Sequence, residues 1–304
     1  MMTAPTNEIA PDDPRLDRFD WSAIGDRPPL RWPGGARLAL WVVPNIEHYE
    51  YLPAQVGVRD PWPRMPHPDV LGYGLRDYGN RAGVWRMMEV FDQHRIRCTV
   101  SLSMSVLEMY PEIAAAMQAR DWEYMSHGLY NTRYHWNYPI EAERAAIAHC
   151  QQIHLRMTGR PLAGWFSPAA SFTLNTPDLI AEAGLRYYCD LYHDDQPCRL
   201  RVRSGSLISI PYTMEVNDAI CWRRGEEGDD FERLIRDEFD TLYAEGAASG
   251  RVMCIAVHPF IMGQPQRIRH LDRALAYVLG HPDVWVATGD EIARAWLDAQ
   301  PQAG

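Results

Sequence analysis

The run Arg37-Leu38-Ala39-Leu40-Trp41-Val42-Val43, with Pro44 after it and Asn45, Glu47 and His48 just beyond, decides how the chain is read. A short apolar run between Gly34-Gly35 and a proline reads as a strand buried on both faces. Burial on both faces is the habit of a parallel sheet covered by helices. The same kind of signal recurs at 98–102, 123–125, 164–166, 187–189, 207–210, 252–257 and 284–287. Helical periodicity or capping fills most of the intervals, at 81–95, 105–120, 139–157, 175–183, 229–246, 267–279 and 289–298. Such alternation predicts an α/β fold with helical crossovers. The polar residues that follow the strands are Glu47, His127, Asp190 and His258. In a (β/α) barrel, positions of this kind converge on the C-terminal mouth, where catalytic groups sit.

The rest of the sequence frames that reading. A barrel domain is expected over 31–298, after a Pro-rich acidic flexible arm at 1–30 and before a short tail at 299–304. The arm lacks the basic and apolar regions of a secretory leader, so a cytoplasmic location is expected. Residues 52–78, rich in Pro, Gly and aromatics, predict a long irregular loop. No apolar run approaches the ~18 residues of a membrane span. A net charge of -10 argues against nucleic acid and anionic lipid as partners and leaves a small molecule as the expected one. The six cysteines form no CxxC pair, and reduced thiols are expected. No glycine-rich loop opens a helix after a strand, and the Gly263 region has no P-loop lysine, so nucleotide binding is not expected.

Glu47, His127 and His258 are the groups that carry the expected chemistry. A carboxylate and two imidazoles at three strand ends supply a general base, a general acid and a polarising group. The same set also suits Zn²⁺ held by His and carboxylate with an open water position. Spacing alone leaves both open, beside a purely structural role for each histidine. His67, His94, His149, His154, His270 and His281 lie in loops or on helix faces, where solvated or structural roles are expected. The adjacent Asp194 and Asp195 read as a turn before an acid/base couple.

Seven stretches, in order, resemble one family. They are Asn45-Ile46-Glu47, Arg76-Asp77-Tyr78-Gly79-Asn80-Arg81, Ser126-His127-Gly128, Gly164-Trp165-Phe166, Asp194-Asp195-Gln196-Pro197, Ile210-Pro211-Tyr212-Thr213-Met214-Glu215-Val216-Asn217-Asp218, and His258-Pro259 with Gly263-Gln264-Pro265. The chain resembles the polysaccharide deacetylases with the NodB-homology domain, and within them the cofactor-independent branch that includes allantoinases and cyclic imide hydrolases. The resemblance implies a distorted (β/α) barrel, often assembled as a homotetramer. It also implies a base Asp, a metal-binding Asp, a His-x-x-x-His pair, an Arg that orients the base and a late general-acid His.

Carried onto this chain, the pattern puts Asn45 at the base position, Glu47 at the metal carboxylate, His127 at the first metal histidine and Asn131 at the second. Phe166 stands for the orienting Arg, and His258 keeps the late position. Asn is a poor Zn²⁺ ligand beside imidazole, and it takes no proton as a carboxylate does. The expectation is therefore a hydrolase of a small amide, imide or ureide with no required cofactor. In it Glu47 is the base, its carboxyl raised towards neutrality in an aromatic pocket, and His127 or His258 donates to the oxyanion or the leaving nitrogen. Asn45, Asn131, Tyr130, Trp165, Tyr212, Asn217 and Asp218 are expected to contact or shape the substrate site. The alternatives are a Zn²⁺-dependent sugar deacetylase using Glu47, His127 and either Asn131 or His258, and a non-catalytic binding protein on the same scaffold.

Overall fold

The computed structural model describes residues 18–54 and 68–300. Nine strands among them are β1 (Leu38–Ile46), β2 (Thr99–Leu102), β3 (Glu123–Ser126), β4 (Gly164–Trp165), β5 (Tyr187–Tyr188), β6 (Cys198–Leu200), β7 (Leu207–Ser209), β8 (Arg251–Val257) and β9 (Val284–Val286). They form one sheet in the order β6-β7-β5-β4-β3-β2-β1-β8, with β9 also paired to β1. All pairs are parallel except β6 with β7. The sheet curls into a distorted, open (β/α) barrel. Its seam, between β8 and the β6-β7 end, is bridged where Val252 N donates to Asp195 O (2.9 Å) and Ala256 N to Val216 O (3.0 Å).

Alternation along β1 explains the two layers of the core. Leu38, Leu40 and Val42 point outward into the cluster shared with the helices. Ala39, Trp41 and Val43 point inward to pack with Met125, Tyr187, Ile208, Tyr212 and Cys254. Side chains that alternate between two buried faces give the unbroken apolar run seen in the sequence. The strand outlasts that run, extending through Pro44 to Ile46. Pro44 lies where β1 leaves β9, its partner at 38–40, and takes up β2 at 45–46, and a gap in a ladder tolerates a residue without an N–H.

Four expectations change. The arm expected over 1–30 is already tied down at Arg18, which pairs through both terminal nitrogens with buried Asp178 at 2.8–2.9 Å. Its remainder lies outside the described residues, as do 55–67 of the expected 52–78 loop. That loop's end is helical: Val70–Tyr78, capped by Asp69 Oδ1 accepting from Gly72 N (2.9 Å), runs through a π turn at Gly79–Gly83 into the helix Val84–Gln93. The expected helix at 105–120 is two, Val106–Met109 and Pro111–Ala119, because Pro111 starts a helix more readily than it continues one. Strand β6 and the helix Asp218–Arg223, three and six residues long, are too short to show a period in the sequence. All six cysteines are free thiols. Among the described residues no helix is long and apolar enough to cross a membrane.

Candidate active site

Register alone assembles the rim. Ile46, Leu102, Ser126, Trp165, Tyr188 and Ser209 are successive Cα partners across β1, β2, β3, β4, β5 and β7. One residue further along each strand lie Glu47, Ser103, His127, Phe166, Cys189 and Ile210, at the C-terminal mouth. On the other side of β1, Pro44 pairs with Val257, which sets His258 level with Asn45. Two tight approaches hold this rim. Gly128 has a φ of 72° after His127, and a Cβ there would meet Pro168 at 2.9 Å. Gly83 in the π turn lets the helix press on the Pro259 carbonyl, which a Cβ would meet at 2.0 Å.

Glu47 is the centre. Its Oε2 accepts from Tyr49 Oη (2.7 Å) and its Oε1 from Asn131 Nδ2 (2.8 Å), and His127 Nε2 lies 3.2 Å from Oε1. Asn131 Nδ2 also donates to Tyr49 Oη (2.6 Å), closing a triangle. Burial pushes the Glu47 carboxyl up, but the His127 hydrogen bond, the charges of His258 and His127 and the Tyr49 hydroxyl outweigh it and leave it below its ordinary value. The rise towards neutrality expected from the aromatic surroundings is therefore corrected: donors, not rings, face the carboxylate. The Asn131 Oδ1 is buried without a hydrogen-bond partner.

His258 is held by a carboxylate of its own. Its Nδ1 donates to Asp218 Oδ1 (2.6 Å), while Asp218 Oδ2 accepts from the backbone N–H groups of His258 (2.8 Å) and Met262 (3.3 Å). Burial lowers the basicity of the ring, but Asp218, by charge and hydrogen bond, and then Glu47 raise it above its ordinary value. With Nδ1 on Asp218, the Nε2–H is the proton His258 can offer to a substrate.

Beside His127 lies a strained turn. Ala169 and Ala170 both adopt left-handed φ values, 50° and 53°. Such backbone costs about 1–2 kcal/mol per residue outside glycine and persists only where the surroundings enforce it. Asp190 does so here: its carboxylate accepts from Ser167 N (3.1 and 3.2 Å) and Ser167 Oγ (2.7 Å). Burial raises the Asp190 carboxyl to about 6. The turn aims Ala169 N–H at His127 Nε2 (3.4 Å), and Phe166 stacks on the His127 ring (4.5 Å) while its carbonyl meets Nδ1 (3.2 Å).

The other expected residues take varied places. Asn45 is buried and paired with Tyr212: its Nδ2 donates to Tyr212 Oη (3.0 Å), with Val43 and Val257 carbonyls at 3.4 Å. Tyr212 in turn packs on Phe166 (4.5 Å). Asp218 supports His258, whereas Asn217 caps the helix Asp218–Arg223 by accepting from Ala219 N (3.1 Å). Trp165 is wholly buried in the outer core and offers no wall to a ligand. Tyr130 packs beside His48 (5.3 Å) and under Arg133 (4.2 Å). Asp194 is tied to Arg27 (2.6 Å), and His94, His154, His270 and His281 each have structural hydrogen bonds. His67 lies outside the described residues. Sequence reasoning missed Tyr49 and the Ala169 N–H. Tyr49 had a signal, since residues 45, 47 and 49 of an extended segment share a face. A cleft of about 1170 Å³ lies along the seam rather than over Glu47, and Tyr212 is among the residues that line it.

One form of the metal alternative uses Glu47, His127 and Asn131; in the other His258, whose Nδ1 is bound to Asp218, replaces Asn131. As placed, the Asn131 amide turns its NH₂ to Glu47, and both Glu47 oxygens already accept hydrogen bonds. A cation between Glu47 and residue 131 would need the amide oxygen turned inward and the space of the Tyr49 hydroxyl. In this arrangement the three groups do not fit it.

Comparison with known proteins agrees with the geometry. The polysaccharide deacetylase family model matches residues 75–188. The crystal structure of PuuE allantoinase is 30% identical and superposes with a TM-score of 0.83 over 92% of this chain and 97% of that one. A probable polysaccharide deacetylase from Pseudomonas aeruginosa PAO1 is also 30% identical, with a TM-score of 0.78 over 91% and 97%. A putative polysaccharide deacetylase of Schizosaccharomyces pombe is 29% identical over 89% of this chain and 93% of its own length. With 30% identity to a probable polysaccharide deacetylase along nearly the whole chain, this protein belongs to the polysaccharide deacetylase family.

Proposed function

We propose that the protein hydrolyses a carbon–nitrogen bond of a small amide, cyclic imide or ureide, as the name of its allantoinase neighbour suggests. The observation that carries this reading is the placement on one rim of a carboxylate held by hydrogen-bond donors, Glu47, and an imidazole held by a carboxylate, His258 on Asp218. Amide hydrolysis needs an activated water, a stabilised oxyanion and a protonated leaving nitrogen. Glu47 takes a proton from water as its oxygen bonds to the carbonyl carbon. The carbonyl oxygen gains the electron pair and is met by Ala169 N–H and, when its Nε2 is protonated, by His127. The pair then returns, the C–N bond breaks, and His258 gives its Nε2 proton to the leaving nitrogen. The unpaired Asn131 Oδ1 suits a ring N–H of the substrate, since a buried acceptor left unmatched costs about 1–3 kcal/mol.

Turnover of allantoin, hydantoins and cyclic imides, measured with and without chelator, tests the reading. An N-acetyl sugar substrate is the second reading, favoured by the relatives named as deacetylases, including the peptidoglycan deacetylase of Helicobacter pylori at 22% identity. Assembly as a tetramer belongs to the same proposal, and sedimentation as a monomer at micromolar concentration would refute it.

A further inference from the structure

We propose that Tyr49 is a positioning residue that closes this centre to a divalent cation, its hydroxyl and the Asn131 amide holding Glu47 where a cation would otherwise bind. The proposal rests on the reading of Glu47 as the base. The Tyr49 oxygen lies 2.7 Å from Glu47 Oε2 and 2.6 Å from Asn131 Nδ2, so it occupies the space between the two side chains that a bridging ion requires. Ligand distances to Zn²⁺ are about 2.0–2.2 Å, so an ion placed there would collide with the hydroxyl. The ring does not swing aside freely. Arg76 lies over one face at 4.4 Å from its centroid, and Phe260 meets it edge-on at 6.4 Å. The base of Glu47 is fixed as well, because Asn80 Nδ2 donates to its backbone carbonyl (2.9 Å). The Tyr49 hydroxyl donates to Glu47 Oε2 and accepts from Asn131 Nδ2. Two neutral donors thereby satisfy the carboxylate without supplying the lone pairs a cation needs.

The test reads cation uptake and needs no substrate. Chelator-treated wild type, Y49F, N131H and Y49F/N131H are titrated with Co²⁺, followed by visible ligand-field absorption, and with Zn²⁺, followed by elemental analysis after gel filtration. Circular dichroism confirms folding. Y49F/N131H should take up about one equivalent, with at least about 100-fold tighter binding than wild type or N131H. Tight binding by wild type overturns the proposal, because the hydroxyl then excludes nothing. Binding by N131H as tight as by the double variant overturns it too, since residue 131 alone would be the barrier. If the double variant does not fold, Y49F/N131D, nearly isosteric at residue 131, takes its place. A folded double variant of either kind that binds no cation also refutes the role of Tyr49. Failure to find a hydrolysed amide would instead overturn the reading of Glu47 as base and leave the uptake result standing.

Discussion

Asp218→Asn probes the half of the site that must carry a positive charge. The carboxylate accepts from the His258 ring and from two backbone N–H groups at 2.6–3.3 Å. Asn keeps the shape but offers one oxygen and one NH₂, so it cannot accept from both the ring and the backbone. It also removes the charge that raises His258. Hydrogen bonds to charged groups contribute about 1.5–3 kcal/mol. If that stabilisation serves the protonated ring in the transition state, kcat/KM at neutral pH falls by about 10–150-fold. The sign of the pH effect follows. Protonated His258 is the active acid, so activity is lost as pH rises through its raised value. In Asp218→Asn that loss moves to lower pH. The assay is a profile of kcat/KM from neutral to alkaline pH on a substrate the wild type turns over, with melting temperature as a control for folding. A variant with wild-type melting and an unmoved alkaline limb would show that Asp218 does not tune a catalytic acid.

Glu47→Gln should lower kcat/KM by about 10²–10⁴-fold while leaving the circular dichroism spectrum unchanged, since a positioned base contributes that much. Ala169→Gly should raise stability by up to about 1–2 kcal/mol in denaturant melts by relieving the left-handed backbone, and lower kcat, because a looser turn aims its N–H less well. No gain in stability would mean that the turn stores no strain. Glu123, at the opposite end of the barrel, accepts from Thr99 Oγ1 (2.8 Å), Tyr187 Oη (2.9 Å) and Asp290 N (3.1 Å). Burial nonetheless raises its carboxyl to about 7. The folded state then binds more protons than the unfolded one between about 4.5 and 7. Stability from this group is complete below the unfolded value and declines by roughly 3 kcal/mol as pH rises through that window. Denaturant melts of wild type and Glu123→Gln across that range should differ in slope, and parallel curves would count against it.

How much of this was legible in the sequence depends on the kind of information. Register was, because an apolar run such as Leu38 to Val43 fixes which residues alternate inward, and the rim residues Glu47, His127 and His258 follow from where strands stop. The partner of His258 was less so. Asp218 stood among the expected site residues, but only the seam contact between 216 and β8 brings it to the ring. Trp165 shows the limit of reading aromatics as cleft walls, since the side of a two-residue strand on which a ring falls is decided by register with distant neighbours. The triangle of Glu47, Tyr49 and Asn131 joins positions 84 residues apart, and the left-handed pair at Ala169 and Ala170 is invisible in residue types that rarely adopt it.

The most direct test of the central claim is hydrolysis in H₂¹⁸O. Chelator-treated protein is incubated with allantoin, a hydantoin, a cyclic imide and an N-acetylglucosamine oligomer, and the products are weighed by mass spectrometry. The account predicts one ¹⁸O in the carboxylate released from a small cyclic C–N substrate, formed by wild type without added metal and greatly reduced in Glu47→Gln. Label found only in acetate from the sugar oligomer, and only after a divalent cation is restored, would contradict it.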